Sequence, residues 1–206
     1  MTTPYQDAQL AGQTAVRTTI LDHAVGLLVS EGPAALTMRR IATGIGASTK
    51  VLYTLFGGKE GLVDALHREG FARLRAAQQR VPRSDDPLTR LRNLGVAYRA
   101  HALAEPGYYS LMFGHAVPHR PSAEALAAAE SAFDASVAAV EDCVAAGIFR
   151  PGDAGEISKL FWAAAHGAVS LEIAGHFPPD VAARRYTALM EALGHAFSTT
   201  TAKGTS

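Results

Sequence analysis

The sequence has little cysteine, no net charge and no long apolar run, and each shortage excludes a class of protein. Cys143 is the only cysteine among the 206 residues, so no disulfide can form within the chain. Basic and acidic residues number 19 each, which argues against a surface that is basic throughout. No stretch reaches the roughly 18 to 20 apolar residues of a membrane span, and the N-terminus lacks an export signal. These shortages predict a soluble, cytoplasmic protein with no membrane partner.

Motifs for catalysis and for metal binding are also missing. The sequence contains no HExxH helix, no GxSxG elbow and no phosphate-binding loop. His115 and His119 have the spacing of a helical metal pair, but Pro118 between them opposes a continuous helix. With one cysteine and no clustered carboxylates, the sequence predicts no metal site, no cofactor and no enzymatic activity.

Strand patterns are absent, and the periodicity throughout favours an all-α fold. Apolar residues recur at helical spacing, and Pro or Gly bounds nearly every segment. The polar ends, residues 1–13 and 199–206, are predicted to be disordered. The first predicted helix contains Val16, Ile20 and Leu28 and stops at Gly32-Pro33. The others are predicted from Thr37, from Ser48 to Phe56, Lys59 to Gln79, Leu88 to Ala104, after Pro106, Ala123 to Ala146, Asp153 to Gly175 and Pro179 to Phe197.

The two short helices after Pro33 form a helix-turn-helix pattern. Thr37 and Ser48 stand at their starts, where hydroxyls cap free backbone amides. Gly44 and Gly46 flank Ile45 and permit a sharp turn between the helices. In this arrangement the second short helix lies in the major groove of DNA.

The charge of this segment differs from that of the rest of the chain. Residues 37–59 contain four basic side chains and no Asp or Glu. Up to Asp85 the chain has 10 basic and 7 acidic residues, and after it 9 and 12. Such a local basic patch is typical of nucleic-acid binding. A solvated face of a helical bundle is the alternative interpretation of the same charges.

The segment LTMRRIATGIGASTKVLYTLFGGKEGLVDAL resembles the DNA-binding motif of the TetR family of bacterial transcriptional regulators. The resemblance covers roughly residues 14–75 and depends on Leu36-Thr37, Ile41-Ala42, the turn 46–48, Leu52-Tyr53, Phe56 and Lys59-Glu60. One departure is Lys50, where many members have Gly. Another is Tyr53-Thr54-Leu55-Phe56, which lacks the common aromatic or His pair before the Phe. The resemblance implies a DNA-binding domain at 14–75 and a C-terminal ligand-binding and dimerisation domain at 86–198.

The DNA contacts follow from position on the two short helices. Ser48, Thr49 and Lys50 form the leading end of the recognition helix, where side chains meet base edges, and Lys50 is the best candidate for a base contact. Tyr53 and Thr54 lie one turn further along and suit phosphate or thymine-methyl contacts. The remaining candidates should position the protein on phosphates; they are Thr37, Arg39, Arg40 and Lys59. The resemblance implies that the partner is a double-stranded, palindromic operator and that the protein acts on it as a repressor, with activation as the alternative.

The last two helices are the expected dimer interface. Ala163, Gly167, Ser170 and Ala174 form a small-residue stripe on one, and the other carries an apolar stripe of Tyr186, Leu189, Met190, Leu193 and Phe197. We therefore predict a homodimer joined by a four-helix bundle. The alternative is that both stripes pack only within the subunit.

A small-molecule effector site is predicted in the C-terminal domain. The segment from Phe161 to Glu172 resembles a Trp-His-Gly signature of one TetR subgroup, and Trp162 and His166 share a helix face. The predicted effector-binding residues combine aromatic walls with a few polar groups; they are His101, Tyr108, Tyr109, Met112, Phe113, Trp162 and His166. The alternative is a core helix whose histidine is hydrogen-bonded inside the fold.

Two further functions fit parts of the sequence. One is a helical bundle that binds an effector or acts as an enzyme and has no DNA function. In such a protein the DNA-binding pattern of residues 37–59 would be expected to have decayed. The other is a redox sensor acting through Cys143. Because Val144 and Ala145 follow it, inert core packing is the competing interpretation of this cysteine.

Overall fold

The fold is all-α, as predicted. A computed structural model describes residues 3–114, 117 and 120–199. Its α-helices are α1 Pro4–Glu31, α2 Met38–Gly44, α3 Thr49–Phe56, α4 Lys59–Gln79, α5 Pro87–Ala104, α6 Pro106–Phe113, α7 Ala123–Ser131, α8 Asp134–Ala145, α9 Ala154–Ile173 and α10 Pro179–Phe197. Among these described helices, none is both long enough and apolar enough to cross a membrane.

The chain divides into two compact units whose boundaries differ from those of the predicted domains. The first unit comprises Met1–Phe71 and Gly107–Ala128, and the second Ala72–Pro106 and Ala129–Ser206. Helix α6, which the sequence groups with the C-terminal domain, thus belongs to the unit that contains the helix-turn-helix. The turns of α4 up to Phe71 belong to the first unit and its later turns to the second.

The first unit is built on a core contributed by α1 to α4 and α6. Ile20, Leu36, Ile41, Leu52 and Leu62 are fully buried in it. Tyr108 of α6 is also buried in this core, and its hydroxyl donates a hydrogen bond to Asp22 Oδ1 at 3.0 Å. This core fixes α2 and α3 from behind, because it takes up the inward side chains of both.

Helix α1 begins at Pro4, so the prediction of disorder is wrong for residues 4–13. Thr3 caps the helix: its hydroxyl accepts a hydrogen bond from the backbone amide of Gln6, and the Gln6 side chain accepts one from the amide of Thr3. Pro4 occupies the first helical position, where it is favoured. Residues 1, 2 and 200–206, which the sequence also predicts as disordered, lie outside the described residues.

The second unit has its own core around α5, α8 and α9. Leu91, Val140, Cys143 and Phe149 are buried there. Glu172 of α9 accepts two hydrogen bonds from the Arg99 guanidinium of α5, at 2.8 and 2.5 Å. This paired, two-point geometry fixes the relative orientation of the two helices.

The helix predicted from Ala123 to Ala146 is two helices. Helix α7 ends at Ser131 and α8 begins at Asp134. Phe133 stands between them with φ −105° and ψ −3°, and its ring packs edge-on against Trp162 at 5.3 Å. The apolar pattern of the segment continues across this break, so periodicity alone could not reveal it.

Candidate DNA-binding surface and ligand cavity

The recognition helix α3 is held with one face inward and the other exposed. Leu52 is fully buried and Phe56 nearly so, whereas Tyr53 is 54% exposed. Gly57 ends the helix in the left-handed conformation, φ 73°, and donates its amide hydrogen to the Tyr53 carbonyl at 2.8 Å. The outward face is therefore free to meet a large partner. All nine predicted DNA contacts are exposed: Thr37, Arg39, Arg40, Ser48, Thr49, Lys50, Tyr53, Thr54 and Lys59.

The start of α3 keeps its polar groups available. Ser48 occupies the N-cap position as predicted, but its hydroxyl makes no capping hydrogen bond. The first amides of α3 therefore lack the side-chain partner that a capping hydroxyl provides, and such amides favour phosphate oxygens. Thr54 donates its hydroxyl hydrogen to the Lys50 carbonyl at 2.9 Å, which orients its methyl group. Lys50 is exposed on the first turn.

Helix α2 presents Arg39 and Arg40 at its own start. Thr37 caps this helix as predicted, since its hydroxyl accepts from the Arg40 amide at 3.2 Å. The Arg40 guanidinium donates to both Glu31 oxygens, at 2.6 and 3.3 Å, in an exposed ion pair. This hydrogen-bonded pair holds the pKa of Glu31 below its usual value. Phosphate binding by Arg40 would thus compete with Glu31, a residue outside the segment that the sequence singles out.

Arg17 of α1 supports α3 from the side. Its guanidinium carbon lies 4.7 Å from the centre of the Phe56 ring, and Nη1 donates to the Leu55 carbonyl at 3.2 Å. Arg17 thereby satisfies a carbonyl of the last turn of α3 and stacks on its buried aromatic ring. Nothing in the local sequence pattern links Arg17 to this helix 38 residues away.

The second unit contains a cavity of about 110 Å³. Its walls are mainly apolar and aromatic, from α5, α9 and α10 and from the segments on either side of α8. They include Leu91, Leu94, Tyr98, Phe133, Ile148, Phe161, Trp162, Ala165 and Met190. Gln78, from the last turn of α4, and Ser158 also line it and are buried, whereas Arg92, Glu191 and His195 line it from exposed positions. A concave, largely apolar site with a few polar groups is the usual form of a small-molecule site.

Of the predicted effector residues in the second unit, Trp162 lines this cavity. His166 lies beside it, with the two ring centres 5.7 Å apart, and burial lowers the pKa of His166. His101 is half-buried, its Nε2 has no hydrogen-bond partner among the described residues, and burial, with Arg73 adding to it, lowers its pKa. Neither histidine is among the residues that line the cavity.

The four predicted effector residues of α6 lie in the first unit, apart from the cavity lining. Phe113 packs edge-on against Phe71 at 5.7 Å and against Tyr109 at 5.0 Å. Met112 packs tightly over Gly70, where an added Cβ would lie 2.6 Å from its sulfur. Together with the bond from Tyr108 to Asp22, these contacts give the aromatic side chains of α6 a packing role in the first unit.

Sequence reasoning missed Gln78, Ser158 and Phe161 as cavity residues. A signal existed for Gln78, because it follows Leu74 by four residues and so occupies an apolar position of α4. No such signal marks the cavity residues of α10, because Met190 belongs to the predicted dimer stripe.

The final helix turns most of that predicted dimer stripe inward. Tyr186 is buried and donates its hydroxyl hydrogen to the Gly95 carbonyl at 2.6 Å, and Phe197 packs against Phe149 and Phe161. Met190 lines the cavity. Leu189 of the stripe remains exposed, beside Ala163, Gly167 and Leu171 of α9 on a shallow apolar surface.

Cys143 is the one thiol of the sequence. Cys143 is fully buried, and burial, with Asp86 and Asp142 adding to it, raises its pKa to about 11. The thiol is therefore protonated at neutral pH, which disfavours the redox-sensor alternative. Across the described residues no three His, Cys, Asp or Glu side chains are grouped as metal ligands. His115 and His119 lie outside the described residues.

Three solved structures illustrate the similarity in fold. A protein with unknown function from Rhodococcus sp. RHA1 is 28% identical over 89% of this chain and 95% of its own, with a TM-score of 0.78. The TetR family regulator PfmR from Thermus thermophilus is 20% identical over 84% and 97%, with a TM-score of 0.67. A TetR family regulator from Marinobacter aquaeolei is 17% identical over 91% and 98%, with a TM-score of 0.69. None of the curated proteins compared with the chain matches it.

Two family models match the sequence. The model described as the tetracyclin repressor-like C-terminal domain matches residues 91–193, and the model of bacterial regulatory proteins of the tetR family matches residues 20–66. The resemblance to the Trp-His-Gly subgroup stays a prediction. Because the first model spans half of the chain and the second covers the helix-turn-helix, the chain belongs to the TetR family and is a transcriptional regulator rather than an enzyme.

Proposed function

We propose that the protein is a dimeric repressor that binds a palindromic operator and is released by a small molecule. One observation carries the DNA-binding part. Residues 37–59 expose four basic side chains and no acidic one. Because Leu52 and Phe56 are buried in the core, the opposite face of α3 points outward. A regulator of this kind acts in the cytoplasm, where its operator is.

The roles of the DNA-facing side chains follow from where they lie on α2 and α3. Lys50 on the first turn of α3 suits guanine O6 and N7 in the major groove. The Ser48 hydroxyl and the first amides of α3 suit a phosphate. Arg39 and Lys59 begin the neighbouring helices α2 and α4 and provide charge for the backbone, which positions the protein without reading sequence.

The dimer forms through the exposed surface of α9 and α10. Leu160, Leu171 and Leu189 are 53%, 44% and 38% exposed, and Gly167 between them has no neighbouring atom within 4 Å of an added Cβ. Small residues beside exposed leucines let a second copy approach closely. A symmetric pair of such surfaces forms a four-helix bundle.

Release by a ligand requires two states of the dimer. Repression needs two recognition helices one DNA turn apart, roughly 34 to 36 Å. A molecule bound in the cavity of the second unit lowers DNA affinity if it binds better to a state with another spacing, and only by that difference. Helix α4 carries both Lys59 at its start and Gln78 in its last turn, so ligand and DNA act on one helix.

Selection from a random pool of duplexes by the full-length protein tests the proposal. We expect enrichment of a palindrome, and we expect Lys50→Ala to lose preference at the base pair it reads, by about 1 to 3 kcal/mol. The matched control is Lys159→Ala, because Lys159 is an exposed lysine of the second unit paired with Glu156 at 2.7 Å. The proposal fails if no sequence is enriched, or if Lys50→Ala and Lys159→Ala select the same sequences as the unmodified protein.

A further inference from the structure

The two buried polar side chains of the described chain line the same cavity. Gln78 and Ser158 are each 4% exposed, and all other buried side chains of residues 3–114, 117 and 120–199 are apolar, aromatic or the Cys143 thiol. They come from α4 and α9, which are far apart in sequence, and both border the cavity of the second unit. Both buried polar side chains of this kind therefore border one cavity.

Gln78 is the one of these two side chains with an unpaired polar atom. Its Oε1 is completely buried and accepts no hydrogen bond from any described residue. Burying an amide without a partner is unfavourable, and buried polar atoms are almost always paired. Gln78 also lies on the apolar face of α4, one turn after Leu74. A leucine at position 78 would bury no unpaired polar atom. A molecule in the cavity that donates a hydrogen bond to Oε1 would remove this penalty.

The remaining walls limit the charge and size of that molecule. Most of the lining is apolar, with Leu91, Phe133 and Trp162 among it, and the charged lining residues Arg92 and Glu191 are exposed. A charged group placed against the apolar walls would lose its hydration. At about 110 Å³ the cavity is of the size that accepts one aromatic ring, since an engineered cavity of about 150 Å³ binds benzene.

We infer that the cavity binds a small, uncharged, mainly apolar molecule that donates one hydrogen bond, from a hydroxyl or N–H group, to Gln78 Oε1. Ser158 provides a second polar contact at the same cavity. This inference rests on the proposed function only in making that molecule the effector, because binding itself needs no DNA.

Three probes of similar shape separate the parts of this inference. Phenol carries the ring and the donor, toluene replaces the hydroxyl with a methyl group, and benzoate carries a full negative charge. Isothermal titration of the full-length protein without DNA should give saturable binding of phenol, weaker binding of toluene by about tenfold, and none of benzoate.

Substitution of Gln78 tests whether it is the acceptor. Gln78→Leu should weaken the binding of phenol about tenfold and leave the binding of toluene equal or stronger. The preference for phenol over toluene should therefore disappear. The matched control is Gln79→Leu, the same change at the exposed neighbouring residue, which should bind all three probes like the unmodified protein. Gln78→Met, closer in shape, is the second variant if Gln78→Leu does not fold by circular dichroism.

Three results would overturn the inference. The first is no saturable binding of any probe. The second is benzoate binding as tightly as phenol. The third is an unchanged phenol preference in Gln78→Leu and Gln78→Met. Operator selection is carried out without phenol and scored separately. Saturable phenol binding by a protein that enriches no duplex would contradict the proposed function and leave this inference standing.

Discussion

Among individual residues, Lys50 distinguishes this chain from many relatives. It replaces the glycine that many TetR members have in the recognition helix, and it is exposed on the first turn of α3. A glycine there lets the DNA backbone approach, whereas a lysine brings a charge to the groove. Lys50 is therefore the residue whose substitution should change which sequence is read, as the selection experiment tests.

Two half-buried histidines should make stability depend on pH. Burial lowers the pKa of His166 and of His101 from the ordinary value of 6.5. As the pH falls through the range below 6.5, the unfolded chain takes up protons that the folded chain refuses, so the free energy of unfolding decreases. Urea unfolding of the protein should show a lower midpoint at pH 5.5 than at pH 7.5.

Replacing one of these half-buried histidines should weaken this pH dependence. His166→Gln removes one titrating group, so its midpoint should change less between the two pH values than that of the unmodified protein. The control is His176→Gln, since His176 is exposed. An equal pH dependence in all three proteins would show that burial of His166 does not determine it.

Packing between α1 and α2 explains one glycine that the turn does not require. A Cβ added at Gly44 would lie 2.0 Å from Nε2 of His23 and 2.6 Å from Cε1. The His23 ring therefore occupies the space above Gly44, and Gly44→Ala should lower the free energy of unfolding by about 1 to 3 kcal/mol through overpacking. Chemical unfolding monitored by circular dichroism measures this.

Removing the His23 ring should reverse the effect of Gly44→Ala on stability. In a His23→Ala background the space is open, so Gly44→Ala should become neutral or stabilise by up to about 1 kcal/mol through helix propensity. Gly26→Ala in α1, where an added Cβ meets nothing within 4 Å, should also be neutral or stabilising in the unmodified chain. Equal effects of Gly44→Ala with and without His23 would rule out this packing.

Most helix ends could be predicted because their signals are local. Gly32, Asp153 and Pro179 lie within a residue of the ends they mark, and Thr37 uses its own hydroxyl as a cap. Two features were missed for a physical reason. The capping box at Thr3 stabilises a polar segment that lacks apolar periodicity. At the break between α7 and α8, Phe133 contacts Trp162 of another helix, a contact that the local sequence does not show.

The two candidate sites differ in how many of their residues could be predicted from the sequence. The DNA-facing side chains lie on a short contiguous segment with a known pattern, so their exposure could be foreseen. The cavity is formed by helices distant in sequence, and residue type alone cannot tell which aromatic side chain points where. Tyr108 and Trp162 are both aromatic, yet one is packed in the first unit and the other lines the cavity.

For the whole molecule, the absence of net charge conceals two unlike parts. The acid-free segment 37–59 lies in the first unit, while the chain after Asp85 has 12 acidic and 9 basic residues. Binding to DNA should therefore depend on a small basic footprint in each subunit, doubled by dimerisation, with little nonspecific attraction from other surfaces.

Titration of the selected duplex at increasing salt concentration tests this claim most directly. Fluorescence anisotropy should show two protein chains per duplex and an affinity that falls linearly on a log–log plot against salt. Lys59→Ala, which removes the proposed phosphate contact of each subunit, should reduce the slope by about two. One chain per duplex, or an affinity that does not change with salt, would contradict a dimer that holds DNA through the 37–59 surface.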